Sequence, residues 1–163
     1  HEAIDFRRAM HKVDEEFGDD DWWFKVWGPL PKSDEGVGDR DDWVIHEDDT
    51  WHGFGRIESG FNMLDPIKST IITPGLNLDG EFDEDGIPAA IVSKYLAEHG
   101  IIIEKTGLYS FFIMFTIGIT KGRWNSMVTE GFVDWRMKST HFSAISGVMS
   151  VCVAFMLARE AWQ

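Results

Sequence analysis

Four short clusters in this 163-residue chain carry side chains suited to catalysis or ligation. His46-Glu47-Asp48-Asp49-Thr50 begins like a zinc-protease helix, but Thr50 stands where the second histidine is needed. Glu81-x-Asp83-x-Asp85-Gly86 resembles half of a calcium loop. Val92 occupies the twelfth position, where a bidentate Glu is required, and Pro88 starts a helix inside the loop. The single Cys152 excludes a thiolate zinc site and an internal disulfide, and it fits a reducing compartment. Neither a GxGxxG run nor a P-loop is present. No metal site is expected. The third cluster, Trp51-His52-Gly53-Phe54, holds a histidine that reads as structural, because a catalytic imidazole needs partners placed for proton transfer. In the fourth, Thr73-Pro74-Gly75 reads as a strand-ending turn that uses the backbone freedom of glycine.

The elements that would position these residues are legible from periodicity. Phe6, Met10, Val13 and Phe17 fall on one helical face, with Gly18 as a stop. Asp19 to Asp21 lead into a dense aromatic knot of Trp22, Trp23, Phe24, Val26 and Trp27, and residues 28–42 carry loop chemistry. Trp43 to Ile45 and Met63 to Thr73 are strand candidates. A helix is expected after Asp85 or Gly86, with Pro88 in its first turn, Gly100 at its end and Ile91, Val92, Tyr95 and Leu96 inward. Ile101 to Lys105 and Leu108 to Thr116 then read as a hairpin around Thr106-Gly107. Thr120 can cap a helix burying Trp124, Met127 and Val128. Together these predict an α+β unit: a small, mostly antiparallel sheet with helices on one face.

Composition sets outer bounds. Hydrophobic residues make up 44%, with eight Trp and twelve Phe, which supports a folded core. Twenty-eight acidic against fifteen basic residues give a net charge of −13, which disfavours nucleic acid or an anionic membrane as partner. Phe142 to Ala158 is uncharged for seventeen residues, but it is short for a membrane span and diluted by Ser143, Ser146 and Ser150. It reads as a tail segment, not an anchor.

Trp51-His52-Gly53-Phe54, the run Met63 to Gly75 (MLDPIKSTIITPG), the run Asp85 to Gly107 (DGIPAAIVSKYLAEHGIIIEKTG) and the run Leu108 to Thr129 follow in order. This stretch resembles the small subdomain of the bacterial arginine/lysine/ornithine decarboxylases, which use pyridoxal phosphate; Ile4 to Trp27 is similar too. The resemblance assigns residues 1–130 to that subdomain of a fold-type I enzyme. Residues 131–163 are a divergent tail, either a genuine replacement or a shifted reading frame.

The resemblance implies a cytoplasmic, oligomeric enzyme that turns a basic amino acid into an amine and carbon dioxide. The family's cofactor lysine sits in a Ser-x-His-Lys motif, and none of Lys25, Lys32, Lys68, Lys94, Lys105, Lys121 or Lys138 has that context. The chain alone is therefore expected to hold no cofactor and to be inactive, with a cofactor-binding domain as its partner. By resemblance, Glu104 in Glu104-Lys105-Thr106-Gly107 faces the active-site mouth, where a carboxylate suits the distal ammonium of a substrate. Taken on its residues alone, Glu104 ends a strand in water. Thr73 and Gly75 are weaker substrate-lining candidates, and His52 a weak cofactor-side one. The alternative is a non-catalytic remnant or interaction module that kept the core and lost the catalysis.

Overall fold

The computed structural model describes residues 1–17, 23–33, 36–83 and 86–133. Helix α1 (Glu2–Phe17) leads to strand β1 (Lys25–Val26), a short helix α2 (Arg40–Trp43) and strand β2 (Lys68–Ile72). Helix α3 (Ala89–Glu98), strands β3 (Lys105–Thr106) and β4 (Ser110–Met114), and helix α4 (Lys121–Ser126) follow, and α4 runs into a π-helical turn, Met127–Val133. The strands form one sheet in the order β1-β2-β4-β3, antiparallel throughout.

The register determines which residues face the helices. Val26 pairs with Ile71 and Ile71 with Phe111, while Ser69 pairs with Ile113. Residues directly opposite one another in an antiparallel ladder share a face. Val26, Ile71, Phe111 and Ile113 join a single core with Phe6 and Met10 of α1, Val92 and Leu96 of α3, and Trp124 of α4. Met127, Val128 and Phe132 of the π-helical turn complete it. All the helices that contribute to this core thus pack on one side of the sheet, as expected.

Helix α1 departs from its simple reading. Phe6 and Met10 are buried, but Val13 is only half-buried and Phe17 is exposed. Their place is taken by Arg7, which is fully buried and donates from Nη1 to Trp27 O (3.0 Å) and from Nη2 to Lys68 O (2.7 Å). Burial lowers its pKa to about 10, partly offset by the charge of Asp65, so the guanidinium remains charged at neutral pH. One side chain thereby ties α1 to both β1 and β2.

Several boundaries differ from expectation. Trp43 to Ile45 is not a strand: Arg40–Trp43 is a helical turn, started where Asp39 N–H donates to Asp42 Oδ2 (2.9 Å). Only Val44 forms a bridge, with Met63. Strand β2 begins at Lys68 because Asp65 first turns the chain, its carbonyl accepting from Lys68 N–H (3.1 Å) and its Oδ1 from Ile67 N–H (3.2 Å). Pro88 is the N-cap of α3, one residue before the first turn in which it was expected. Of the two expected caps, Gly86 is not the cap and Asp85 lies outside the described residues. Ile101 to Glu104 do not join β3, since Ile101 N–H turns back to Leu96 O (2.9 Å) to close α3. Ile101 and Ile103 then pack on the core while Ile102 is 87% exposed. Gly18, the Asp19 to Trp22 segment and the apolar tail run also lie outside the described residues.

The aromatic knot is largely inward. Phe24 is fully buried, Val26 is buried, and Trp23 and Trp27 are half-buried. The large exposed apolar side chains include Phe54, Phe61, Phe82, Leu108 and Ile117, which sit on connections between elements.

Candidate functional site

At one end of the sheet, the chain leaving β2 is bound tightly to its neighbours. Thr73 is buried; its N–H donates to Tyr109 O (3.0 Å) and its hydroxyl to Ile87 O (2.8 Å). Pro74 O accepts from Ile87 N–H (2.8 Å) and Gly75 O from Asp83 N–H (3.2 Å). The Thr73 hydroxyl is thus committed within the fold. Gly75 has φ +105°, and a Cβ there would lie 2.7 Å from Tyr109 Cε1 and 2.9 Å from the Gly86 Cα. Both the dihedral and the close approach demand glycine. Gly75→Ala is expected to cost more than about 1 kcal/mol, read as a lowered melting temperature.

Glu104 lies elsewhere. It is exposed just before β3, with its N–H donating to Phe112 O (3.3 Å). Its carboxylate has no hydrogen bond or ion pair among the described residues. Thr73 stands beside Tyr109, before the start of β4, whereas Glu104 stands beside Phe112 on the far side of that strand. Three residues along a strand and two strand spacings across separate them by roughly 15 Å. The sheet therefore places Glu104 and the Thr73–Gly75 turn on opposite sides of β4.

His52 sits in a third place. It is buried, with its ring 5.7 Å from that of Phe54 in a stacked arrangement and edge-on to Trp51 at 5.4 Å. Its Nδ1 accepts from Phe54 N–H (3.0 Å), which assigns the proton of the neutral ring to Nε2. That Nε2 is buried without a partner among the described groups. Trp51 in turn packs on Trp27 (4.9 Å), whose Nε1–H donates to Trp51 O (3.1 Å). The histidine is part of an aromatic wall running from β1 to the tip of the loop, where Phe54 is 75% exposed.

Sequence reasoning missed Arg7. A signal was available: Ala3, Phe6, Arg7 and Met10 follow helical spacing, so a cation stands inside the apolar stripe. It also missed how the sheet's second face is built, which the pairing of strands alone reveals.

Among the described residues, no group of three or more His, Cys, Asp or Glu side chains is placed to hold a metal. No helix among them is long and apolar enough to cross a membrane. The described lysines do not fit a Schiff-base role for pyridoxal phosphate, which calls for a lysine held within a pocket. Lys12, Lys32, Lys68, Lys94, Lys105 and Lys121 are exposed, and Lys25 is paired with Asp14 at 3.8 Å.

The described residues thus form a four-stranded antiparallel sheet backed by helices on one face, with the Glu104 carboxylate open at its edge. Residues 1–123 match the model of the family described as Orn/Lys/Arg decarboxylase, major domain. The chain belongs to that family. It is 50% identical over 129 residues to lysine decarboxylase LdcA of Pseudomonas aeruginosa, an alignment covering 79% of this chain and 17% of that protein. It is 38% identical to the biodegradative arginine decarboxylase of Escherichia coli K12, over 78% of this chain and 19% of that protein. Among solved structures, lysine decarboxylase A from Pseudomonas aeruginosa superimposes with a TM-score of 0.72 at 48% identity, over 85% of this chain and 19% of that one. The chain thus spans less than a fifth of the length of the relatives it matches.

Proposed function

We propose that this chain is a portion of a pyridoxal-phosphate-dependent decarboxylase of basic amino acids. It would be the small subdomain of a fold-type I enzyme, releasing carbon dioxide from lysine, arginine or ornithine to leave the amine. The observation that carries this reading is the family match over residues 1–123. The cofactor and the lysine that holds it belong to another portion of the enzyme, so the electron-sink chemistry lies there. This chain's contribution is on the substrate side. Glu104 offers an exposed carboxylate to a distal ammonium, a charge-assisted pairing that orients the substrate. The Thr73–Gly75 turn, its hydroxyl already bonded, contributes shape instead of a hydrogen bond. The 50% identity to a lysine decarboxylase, against 38% to an arginine decarboxylase, favours lysine as substrate. A cytoplasmic homo-oligomer with a cofactor-binding domain on the same polypeptide is the setting this reading implies.

Glu104→Gln tests the assignment in an enzyme assembled from this chain and a cofactor-bearing portion. Losing one charge-assisted contact should raise KM for lysine by about tenfold, with a smaller change in kcat. An unchanged KM would remove Glu104 from the substrate site.

A further inference from the structure

Two aromatic rings distant in sequence meet where β2 gives way to the Thr73–Gly75 turn. Tyr109, the residue before β4, is seated against bare backbone. A Cβ at Gly75 would lie 2.7 Å from its Cε1, and one at Gly86 2.8 Å from the same atom, so only glycine at both positions leaves room for the ring. The Tyr109 carbonyl accepts from Thr73 N–H (3.0 Å), and the Leu108 carbonyl accepts from Ala89 N–H (2.8 Å). These bonds fix the residue between the exit of β2 and the start of α3. The Phe82 ring stands 6.0 Å from the Tyr109 ring at an interplanar angle of 54°. Phe82 forms a bridge with Leu76, and the turn between them is closed by Asn77 N–H donating to Glu81 O (3.0 Å) and Gly80 N–H donating to Asn77 O (3.2 Å).

Neither ring is consumed by the core. Phe82 is 64% exposed and Tyr109 is half-buried. The phenol hydroxyl makes no hydrogen bond among the described residues, and the carboxylates of Asp79 and Asp83, on and beside the Phe82 turn, make neither a hydrogen bond nor an ion pair there. A tilted pair of rings held open to solvent, with an oxygen acceptor on one of them and unpaired negative charge alongside, fits an alkylammonium. The cation meets the negative ring faces while its methylenes pack on them. An anion would be repelled, and a neutral chain would forgo the charge contact. Glu104 lies across β4, so this contact is separate from that carboxylate.

We propose that Phe82 and Tyr109 form an aromatic clasp for the ammonium-bearing chain of a basic amino acid, an outer substrate contact in addition to Glu104. This rests on the decarboxylase reading and deepens it by naming two further residues that select a cationic substrate. The clasp lies away from Glu104 and holds the substrate by its charge and chain, so it contributes to binding and not to the chemical step.

The test adds 1,5-diaminopentane, or 1,5-pentanediol as a neutral control, to the full 163-residue chain and follows the ring signals by NMR. Those of Phe82 and Tyr109 should shift saturably with the diamine and stay in place with the diol. Phe82→Ala, at an exposed position, should abolish the Tyr109 shift. Tyr109→Phe keeps a ring on the two glycines and removes only the hydroxyl, and it should weaken binding. Phe61→Ala, 80% exposed on another connection, should change nothing. No saturable shift, equal shifts with the diol, or shifts that survive Phe82→Ala would overturn the clasp. In the enzyme assembled from this chain and a cofactor-bearing portion, Phe82→Ala should raise KM for lysine about two- to fivefold with kcat unchanged, the size of one exposed cation–π contact. An unchanged KM in an active assembly would overturn the substrate role. The predicted diamine shifts beside an assembly that releases no carbon dioxide would support the clasp as a cation site and count against the decarboxylase reading.

Discussion

Arg7→Ala should lower the stability of the fold by about 3 kcal/mol or more, the largest loss expected from any single polar side chain here. The substitution removes the donors that satisfy Trp27 O and Lys68 O, and it leaves a void where a fully buried side chain stood. Both carbonyls flank strands, so their loss loosens the seam between α1 and the β1–β2 pair. Arg7→Met separates the two contributions. It keeps most of the volume and removes the charge that burial penalises but leaves both carbonyls without these donors, so it should cost less than alanine by the packing it retains. Urea unfolding of the three proteins decides the matter. A methionine variant as unstable as the alanine one would mean that the hydrogen bonds, not the packing, dominate.

Phe132→Ala should cost about 3 to 5 kcal/mol, the usual range for an aromatic removed from a close-packed core. Phe132 is fully buried, stacked on Phe24 at 4.7 Å and tilted against Phe111 at 6.1 Å. It joins Phe24, just before β1, to the central strand β4 through one ring. Phe132 lies beyond residue 123, where the family match ends. The core therefore continues past the matched residues. Just before Phe132, Gly131 packs close to Leu96; a Cβ there would lie 2.8 Å from the Leu96 Cδ2. A loss below about 1 kcal/mol, measured by chemical denaturation, would show that this ring is peripheral to the folding unit.

Much of the fold was legible in the residues, for identifiable reasons. Helix α3 was marked by Pro88 and Gly100 at its ends, and Val92 and Leu96 are buried as its spacing required, while Ile91 and Tyr95 are only half-buried. Thr120 does stand at the N-cap of α4, and Trp124, Met127 and Val128 are buried. The residues that misled are those whose role depends on partners distant in sequence. Trp43 to Ile45 has strand-like composition, but the local Asp39–Asp42 contact wins and winds a helical turn. Arg7 reads as a surface residue until Trp27 and Lys68 are brought to it from 20 and 61 positions away. The site shows the same limit. Thr73 and Glu104 are each plausible substrate contacts in a string of letters, and only the strand register reveals that they lie on opposite sides of β4, beside Tyr109 and Phe112.

The central claim is that this chain supplies the substrate side of a decarboxylase whose cofactor chemistry lies in another portion. Carbon dioxide release from carboxyl-labelled lysine tests it most directly. The measurement takes three samples with pyridoxal phosphate added: the chain alone, a cofactor-bearing portion alone, and the two mixed. The account predicts no release above background from either alone and sustained release from the mixture. Release from this chain by itself would contradict the claim, as would an assembled but inactive mixture.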